Sequence, residues 1–125
     1  MPRDIFPILQ YRDARAAIAW LERAFAFQAD AVQETPDGDI GHAELRCGAG
    51  RMMLSSHREG GPFGDHTGRG WTYVVVTDPD AHHERAVAAG AQIVHPLTDQ
   101  PYGSRDYSAR DPEGNLWSFG TYAPD

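Results

Sequence analysis

Polar and apolar positions divide the chain into two series of elements that follow the same order. An apolar run over residues 5–11 predicts a strand, and apolar side chains spaced by three and four over residues 14–26 predict an amphipathic helix. Alternation over Ile40–Cys47 predicts a half-buried strand, and residues 51–56 predict another. With a short strand near residues 27–34, the first series is β-α-β-β-β.

The second series begins after a glycine-rich connector at residues 59–70. A helix is predicted over residues 79–89, with Asp78 before it as the cap and Gly90 after it as the stop. Strands are expected at four places, residues 71–77, 91–95, 106–110 and 115–121.

The two series coincide when the chain is aligned with itself at a shift of 65 residues. Tyr11-Arg12-Asp13 then falls on Val76-Thr77-Asp78, and Met53 falls on Ser118. An internal repeat indicates that one unit is built twice. We therefore expect a single domain over residues 1–125, made of modules 1–58 and 71–125.

The composition and charge of the chain argue against several classes of partner and of cellular location. The net charge is −7 and the eleven cations are all arginine, so we expect no nucleic-acid binding and no lysine Schiff base. No apolar run approaches the ~20 residues that span a bilayer, and Met1-Pro2-Arg3-Asp4 lacks the apolar start of a secretion signal. With Cys47 as the single cysteine, a reducing, cytoplasmic location is expected.

Alternation along the strands assigns each side chain to one face of a sheet. We place Ala43, Leu45 and Cys47 under a helix, so that the intervening polar residues face away from it. In the 65-residue repeat, Tyr107 and Ala109 match His42 and Glu44, so they are also expected on the face away from the helices. The face away from the helices has the aromatic and polar chemistry of a ligand pocket, and its predicted members are Phe6, Ile8, Gln10, His42, Glu44, Arg46, Met53, Ser55, Trp71, Tyr73, Tyr107 and Ser118.

The chain resembles the vicinal oxygen chelate superfamily of glyoxalases, extradiol dioxygenases, fosfomycin-resistance enzymes and bleomycin-resistance proteins. Two features carry the resemblance: the strand-Asp-helix openings at residues 8–25 and 74–90, and the ending at residues 108–119 with its Asp-Pro-Glu-Gly-Asn segment. The resemblance implies an α+β fold of paired βαβββ modules around a curved mixed sheet, with the helices outside. It also implies, commonly, a homodimer with pockets at or near the interface.

Enzymes of this superfamily bind a divalent metal through one residue from each of four strands. The matching positions here are Phe6, Met53, Trp71 and Ser118, and none of them is a good donor for such ions. The resemblance therefore implies no metal cofactor at the family's site. It points to a metal-independent protein that binds a small molecule, such as an antibiotic or an aromatic metabolite.

Two alternatives stay open. His42 and Glu44 lie two residues apart on the predicted inner face, so they are candidates for an acid-base pair or for ligands of a displaced metal in a glyoxalase-, lyase- or dioxygenase-type enzyme. The plainer interpretation of this pair is a hydrogen-bonded polar patch in a pocket. Alternatively, the aromatic residues fill the cavity, and the protein is then a dimerising scaffold or regulatory module with no small-molecule role.

Overall fold

The computed structural model describes residues 4–124; the segment Met1–Arg3, used above against a secretion signal, lies outside the described residues. The elements follow the expected order, with two series of one strand, one helix and three strands. Their bounds are β1 Ile8–Tyr11, α1 Ala14–Phe25, β2 Gln28–Glu34, β3 Ile40–Cys47, β4 Gly50–Ser56, β5 Trp71–Val75, α2 Pro79–Ala88, β6 Gln92–Asp99, β7 Arg105–Arg110 and β8 Leu116–Gly120.

Each series forms a four-stranded mixed sheet. The strand orders are β1-β4-β3-β2 and β5-β8-β7-β6, and in both sheets the first strand pairs in parallel with the last while the other pairs are antiparallel. The expected α+β fold of two βαβββ units is therefore confirmed. The first strand begins three residues later than predicted, at Ile8, and β6 runs on to Asp99 instead of ending near His95. Within residues 4–124, no helix is both long and apolar enough to cross a membrane.

Both helices begin in the same way, as the repeat predicts. Asp13 accepts a hydrogen bond from the Ala16 amide at 3.1 Å, and Asp78 accepts one from the Ala81 amide at 3.1 Å. These carboxylates satisfy amides that have no partner within the helix. The chain leaves α1 at Ala26, which has a φ of 61° and so ends the helix in a left-handed residue.

The core lies between the helices and the covered faces of both sheets. Phe25, at the end of α1, lies 4.6 Å from Phe119 and 5.9 Å from Trp117 between ring centres, so the first helix also packs on the second sheet. The Trp20 indole donates to the carbonyl of Ala89 next to α2 at 3.1 Å. The two units thus share one hydrophobic core.

The turn between β7 and β8 connects the two units through a buried carboxylate. Asp111 is 4% exposed, and its Oδ2 accepts hydrogen bonds from the Tyr11 hydroxyl at 2.6 Å and from the Trp117 indole at 3.1 Å. Burial and the charge of Asp111 raise the pKa of Tyr11, so the phenol stays a donor. Glu113 of the same turn accepts from the backbone amides of Arg12 at 2.6 Å and Asp13 at 2.9 Å, where α1 begins.

Tyr107 does not lie on the open face, which corrects the sequence assignment. It is fully buried, as is Ala109, and its hydroxyl lies 2.5 Å from Nδ1 of His82 on α2. Burial lowers the pKa of His82, whose Nε2 donates to the Phe25 carbonyl at 2.9 Å.

The error has a simple cause in the lengths of the two hairpin turns. Arg46 pairs with Arg51 across four intervening residues, whereas the matching pair of the second unit, Arg110 with Leu116, is separated by five. A single shift that superimposes β4 on β8 therefore leaves β7 one residue out of step with β3. Because side chains alternate, a slip of one residue moves each side chain to the other face.

We expect Tyr11→Phe to lower the free energy of unfolding by about 2 kcal/mol, because a hydrogen bond to a buried carboxylate is lost while the ring still packs. Urea denaturation followed by circular dichroism measures the change. Tyr102→Phe is the matched control, since the Tyr102 side chain is exposed and its change should stay below about 0.5 kcal/mol. Equal effects of the two substitutions would show that the Tyr11–Asp111 contact does not stabilise the fold.

Candidate functional site

A hollow of about 440 Å³ lies on the open face of the second sheet. Strand β5 contributes two rings, the β6–β7 loop contributes a third, and β7 and β8 supply a polar floor. Trp71, one of the two rings from β5, is 74% exposed. We call this region the aromatic hollow, and its lining residues are Trp71, Tyr73, His95, Gln100, Tyr102, Asp106, Ser108 and Ser118.

The floor of the aromatic hollow is a short hydrogen-bonded chain. The Trp71 indole nitrogen donates to Oγ of Ser118 at 3.0 Å, and the hydroxyls of Ser118 and Ser108 lie 2.7 Å apart. The indole plane is therefore held against the sheet by its polar edge while most of its surface remains open. An immobilised ring of this kind binds a flat partner with little loss of side-chain entropy.

The rim of the hollow depends on a close approach at Gly120. A side-chain carbon there would come within 2.8 Å of both the Tyr73 hydroxyl and the Asp106 side chain, so glycine leaves room for both. The Tyr73 hydroxyl donates to the carbonyl of Tyr122 at 2.6 Å, and the Tyr122 ring meets Tyr102 edge to face at 5.9 Å. Partial burial, with a smaller contribution from the charge of Asp106, raises the pKa of Tyr73.

The open face of the first sheet is charged rather than aromatic. Nε2 of His42 lies 2.9 Å from Oε2 of Glu44, so the proposed pair is in direct contact. Arg46 donates to Asp30 at 3.1 Å, and Asp30 also pairs with Arg51. Hydrogen bonding to Arg51 and the two guanidinium charges lower the pKa of Asp30. Since Arg46 already has an anionic partner, it is a weak candidate for holding an anionic ligand.

The connector is tied to β1. Gln10 donates to the Gly64 carbonyl at 3.2 Å and accepts from the His66 amide at 2.7 Å, while Arg12 pairs with Asp65 at 2.5 Å. A second hollow of about 320 Å³ lies beneath this segment, with Gln10, Ser55 and Phe63 among its lining residues.

The predicted site residues therefore divide into separate groups. Trp71, Tyr73 and Ser118 meet in the aromatic hollow, and Gln10 and Ser55 line the smaller one. The remaining predicted residues other than Tyr107 lie on the open side of the first sheet or just before it, and they are Phe6, Ile8, His42, Glu44, Arg46 and Met53.

Sequence reasoning missed five residues of the aromatic hollow, namely His95, Gln100, Tyr102, Asp106 and Ser108. The alternation of β7 places Asp106 and Ser108 opposite Tyr107, so the false placement of Tyr107 excluded both. The signal that would have found them is the unequal length of the two hairpin turns, which is countable in the sequence. Of the other three, His95 lies at the predicted end of β6, and Gln100 and Tyr102 lie in the loop that follows this strand, where no pattern in the sequence marked them.

The family's metal positions do not fit a metal ion in this chain. The Trp71 indole has no lone pair to donate, and it uses its N–H on Ser118, which occupies another of the four positions. Phe6 has no donor atom, and the Met53 thioether is a poor ligand for hard divalent ions. Within residues 4–124, no three His, Cys, Asp or Glu side chains are grouped so as to hold a metal.

Two four-stranded βαβββ sheets that share one core define the glyoxalase/bleomycin-resistance class of fold. The family model of the Glyoxalase/Bleomycin resistance protein/Dioxygenase superfamily matches residues 6–119, and the chain belongs to this superfamily.

Known proteins resemble the chain along almost its whole length. An uncharacterized protein of Mycobacterium tuberculosis, Rv0887c, is 38% identical over 125 residues, which cover 91% of this chain and 71% of that protein. TioX from Micromonospora sp. ML1, whose crystal structure is known, has 38% sequence identity to this chain. The structural match has a TM-score of 0.83 and covers 98% of this chain and 100% of TioX. A bleomycin-binding protein complexed with bleomycin shares the fold, at 18% identity and a TM-score of 0.70 over 98% of this chain and 100% of that one.

Proposed function

We propose that the chain is a bacterial, cytoplasmic protein that binds a planar, partly aromatic small molecule without converting it. The observation that carries the proposal is Trp71, a large ring left 74% exposed over a hollow whose polar floor fixes its orientation. An exposed ring beside convergent polar groups is the usual chemistry of a ligand site. The bleomycin bound to one protein of this fold supports a ligand of the antibiotic or aromatic-metabolite kind.

The size of the hollow supports useful affinity. At about 0.3 kcal/mol per heavy atom, a ligand of about 30 atoms reaches about −9 kcal/mol, which is a sub-micromolar dissociation constant. Sequestration needs no more than this. The high exposure of the Trp71 side chain also favours ligand binding over the alternative of a scaffold protein, in which the aromatic residues would fill the cavity.

We expect Trp71→Ala to weaken binding of acridine, a flat three-ring probe, by about tenfold, because the stacking surface and its buried area are lost. Isothermal titration calorimetry measures the affinity. In the unmodified chain, quenching of tryptophan emission reports the same event, since Trp20 and Trp117 are both buried.

Phe63→Ala is the matched control for this test. It removes an exposed ring from the connector, beside the smaller hollow, and should leave acridine binding unchanged. If Phe63→Ala weakened binding and Trp71→Ala did not, the ligand would belong to the first sheet. If acridine and other flat aromatic probes gave neither heat nor quenching, the binding function itself would be wrong.

We further propose that the chain forms a homodimer, as the family commonly does. An apolar strip lies open at the start of the first unit, where Ile5 is 92% exposed, Phe6 40% and Ile8 68%. The strip carries no charge on a chain of net charge −7, so a second copy can approach it with less repulsion than elsewhere.

Light scattering should give the mass of two chains for the unmodified protein and of one chain for Ile8→Glu, since the variant would bury an unpaired charge in the interface. Val87→Glu makes a comparable change at an exposed position on α2 and should remain dimeric. A monomeric mass for the unmodified protein at concentrations well above micromolar would contradict the proposal.

The second candidate function is acid-base or metal-assisted catalysis on the first sheet, which the direct contact of His42 with Glu44 favours. The two candidates differ in a measurable way. We expect protein purified without chelator to contain no stoichiometric Zn, Ni, Fe or Mn by mass spectrometry, because the residues at the family's positions are poor donors. Stoichiometric metal, with turnover that His42→Ala abolishes and His66→Ala spares, would instead establish the enzyme.

A further inference from the structure

We propose that the aromatic hollow selects a flat ligand that carries a positive charge, and that Asp106 supplies the opposing charge at its floor. This inference rests on the proposed binding function and adds the sign of the ligand to it. It follows from the placement of Asp106, from the charges around the hollow and from the nature of its walls.

Asp106 is placed by the strand pairing and fixed by one neighbour. It lies on the open face of β7 opposite Gly120, where the missing side chain lets it approach the Tyr73 hydroxyl. The side-chain amide of Gln100 donates to its Oδ1 at 3.0 Å. This bond anchors the carboxylate without neutralising it, because an amide carries no formal charge.

The charges near the hollow leave Asp106 without a cationic partner among the described residues. Asp106 is the one acidic side chain among the residues that line the hollow, and no arginine is among them. Arg110 shares its strand face, but its guanidinium donates to the Gly114 carbonyl at 2.8 Å. The adjacent Arg105 pairs with Asp80 at 2.7 Å and with Asp99 at 3.2 Å.

The walls favour the same sign of charge. Trp71, Tyr73 and Tyr102 line the hollow, and aromatic rings attract a cation placed over their faces. The first sheet is different, since Arg46 and Arg51 there share Asp30. A net charge of −7 adds a weak field that attracts cations to the whole surface. A flat cation thus meets stacking surfaces and a counter-charge in one place.

The test compares three probes of nearly the same shape: N-methylacridinium, acridine and acridine-9-carboxylate. Titration calorimetry near pH 8, above the ordinary pKa of an imidazole, keeps the histidines from competing as cations. We expect the unmodified chain to bind the cation about five- to tenfold more tightly than neutral acridine, and the anion most weakly. Raising the salt concentration should reduce this preference.

Asp106→Asn should bring the cation and the neutral probe to nearly equal affinity, because the counter-charge is removed. Asp37→Asn removes the same charge from the exposed turn between β2 and β3, so it should keep the preference. Circular dichroism verifies that both variants are folded, and the salt dependence of the unmodified chain tests the charge preference without any variant.

The possible results separate the two proposals. Binding of all three probes with no preference, or a preference for the carboxylate, would overturn the assignment of charge and leave the binding function standing. A preference that Asp37→Asn abolishes as fully as Asp106→Asn would also overturn it, since net charge would then be the cause. Failure of every probe to bind would overturn both proposals.

Discussion

The buried carboxylate of Asp111 is the interaction on which the arrangement of the two units depends. An ionised group out of contact with water is costly unless hydrogen bonds surround it. Here five donors do so: the Tyr11 hydroxyl, the Trp117 indole, the Asn115 amide side chain and the backbone amides of Glu113 and Asn115. One donor, the Tyr11 hydroxyl, comes from the first unit and the other four come from the second, so docking of the two units completes the set. Glu113 strengthens the joint by accepting from the amides that precede α1.

Local signals in the sequence were enough to predict most of the fold. The period of the apolar residues identified both helices, and the two aspartate caps are seen in the structure at the expected residues. The faces of β1, β3, β4, β5 and β8 were also assigned correctly, because each assignment depended on alternation within a single strand. The carboxyl ends of the helices and the bounds of β1 and β6 were less accurate, since fraying and edge pairing depend on tertiary contacts.

The candidate site was harder to predict, for a different physical reason. Transfer of faces from one repeat to the other assumes equal turn lengths, and the turns after β3 and β7 differ by an odd number of residues. Tyr107 was therefore expected in the site and lies in the core, while Asp106 and Ser108 line the hollow. The association of Trp71 with Ser118 was also invisible in the sequence, because a hydrogen bond across parallel strands requires knowledge of register.

The unequal hairpins have a consequence for how a duplicated fold acquires two different surfaces. Point substitutions alter a concave wall one side chain at a time. One residue gained or lost in a turn instead exchanges the water-facing and core-facing rows of a whole strand at once. The change survives only where the newly inward row, here Tyr107 and Ala109, is already able to pack. Length variation in tight turns is thus a route by which two repeats of one unit acquire different chemistry while they keep the same strand order.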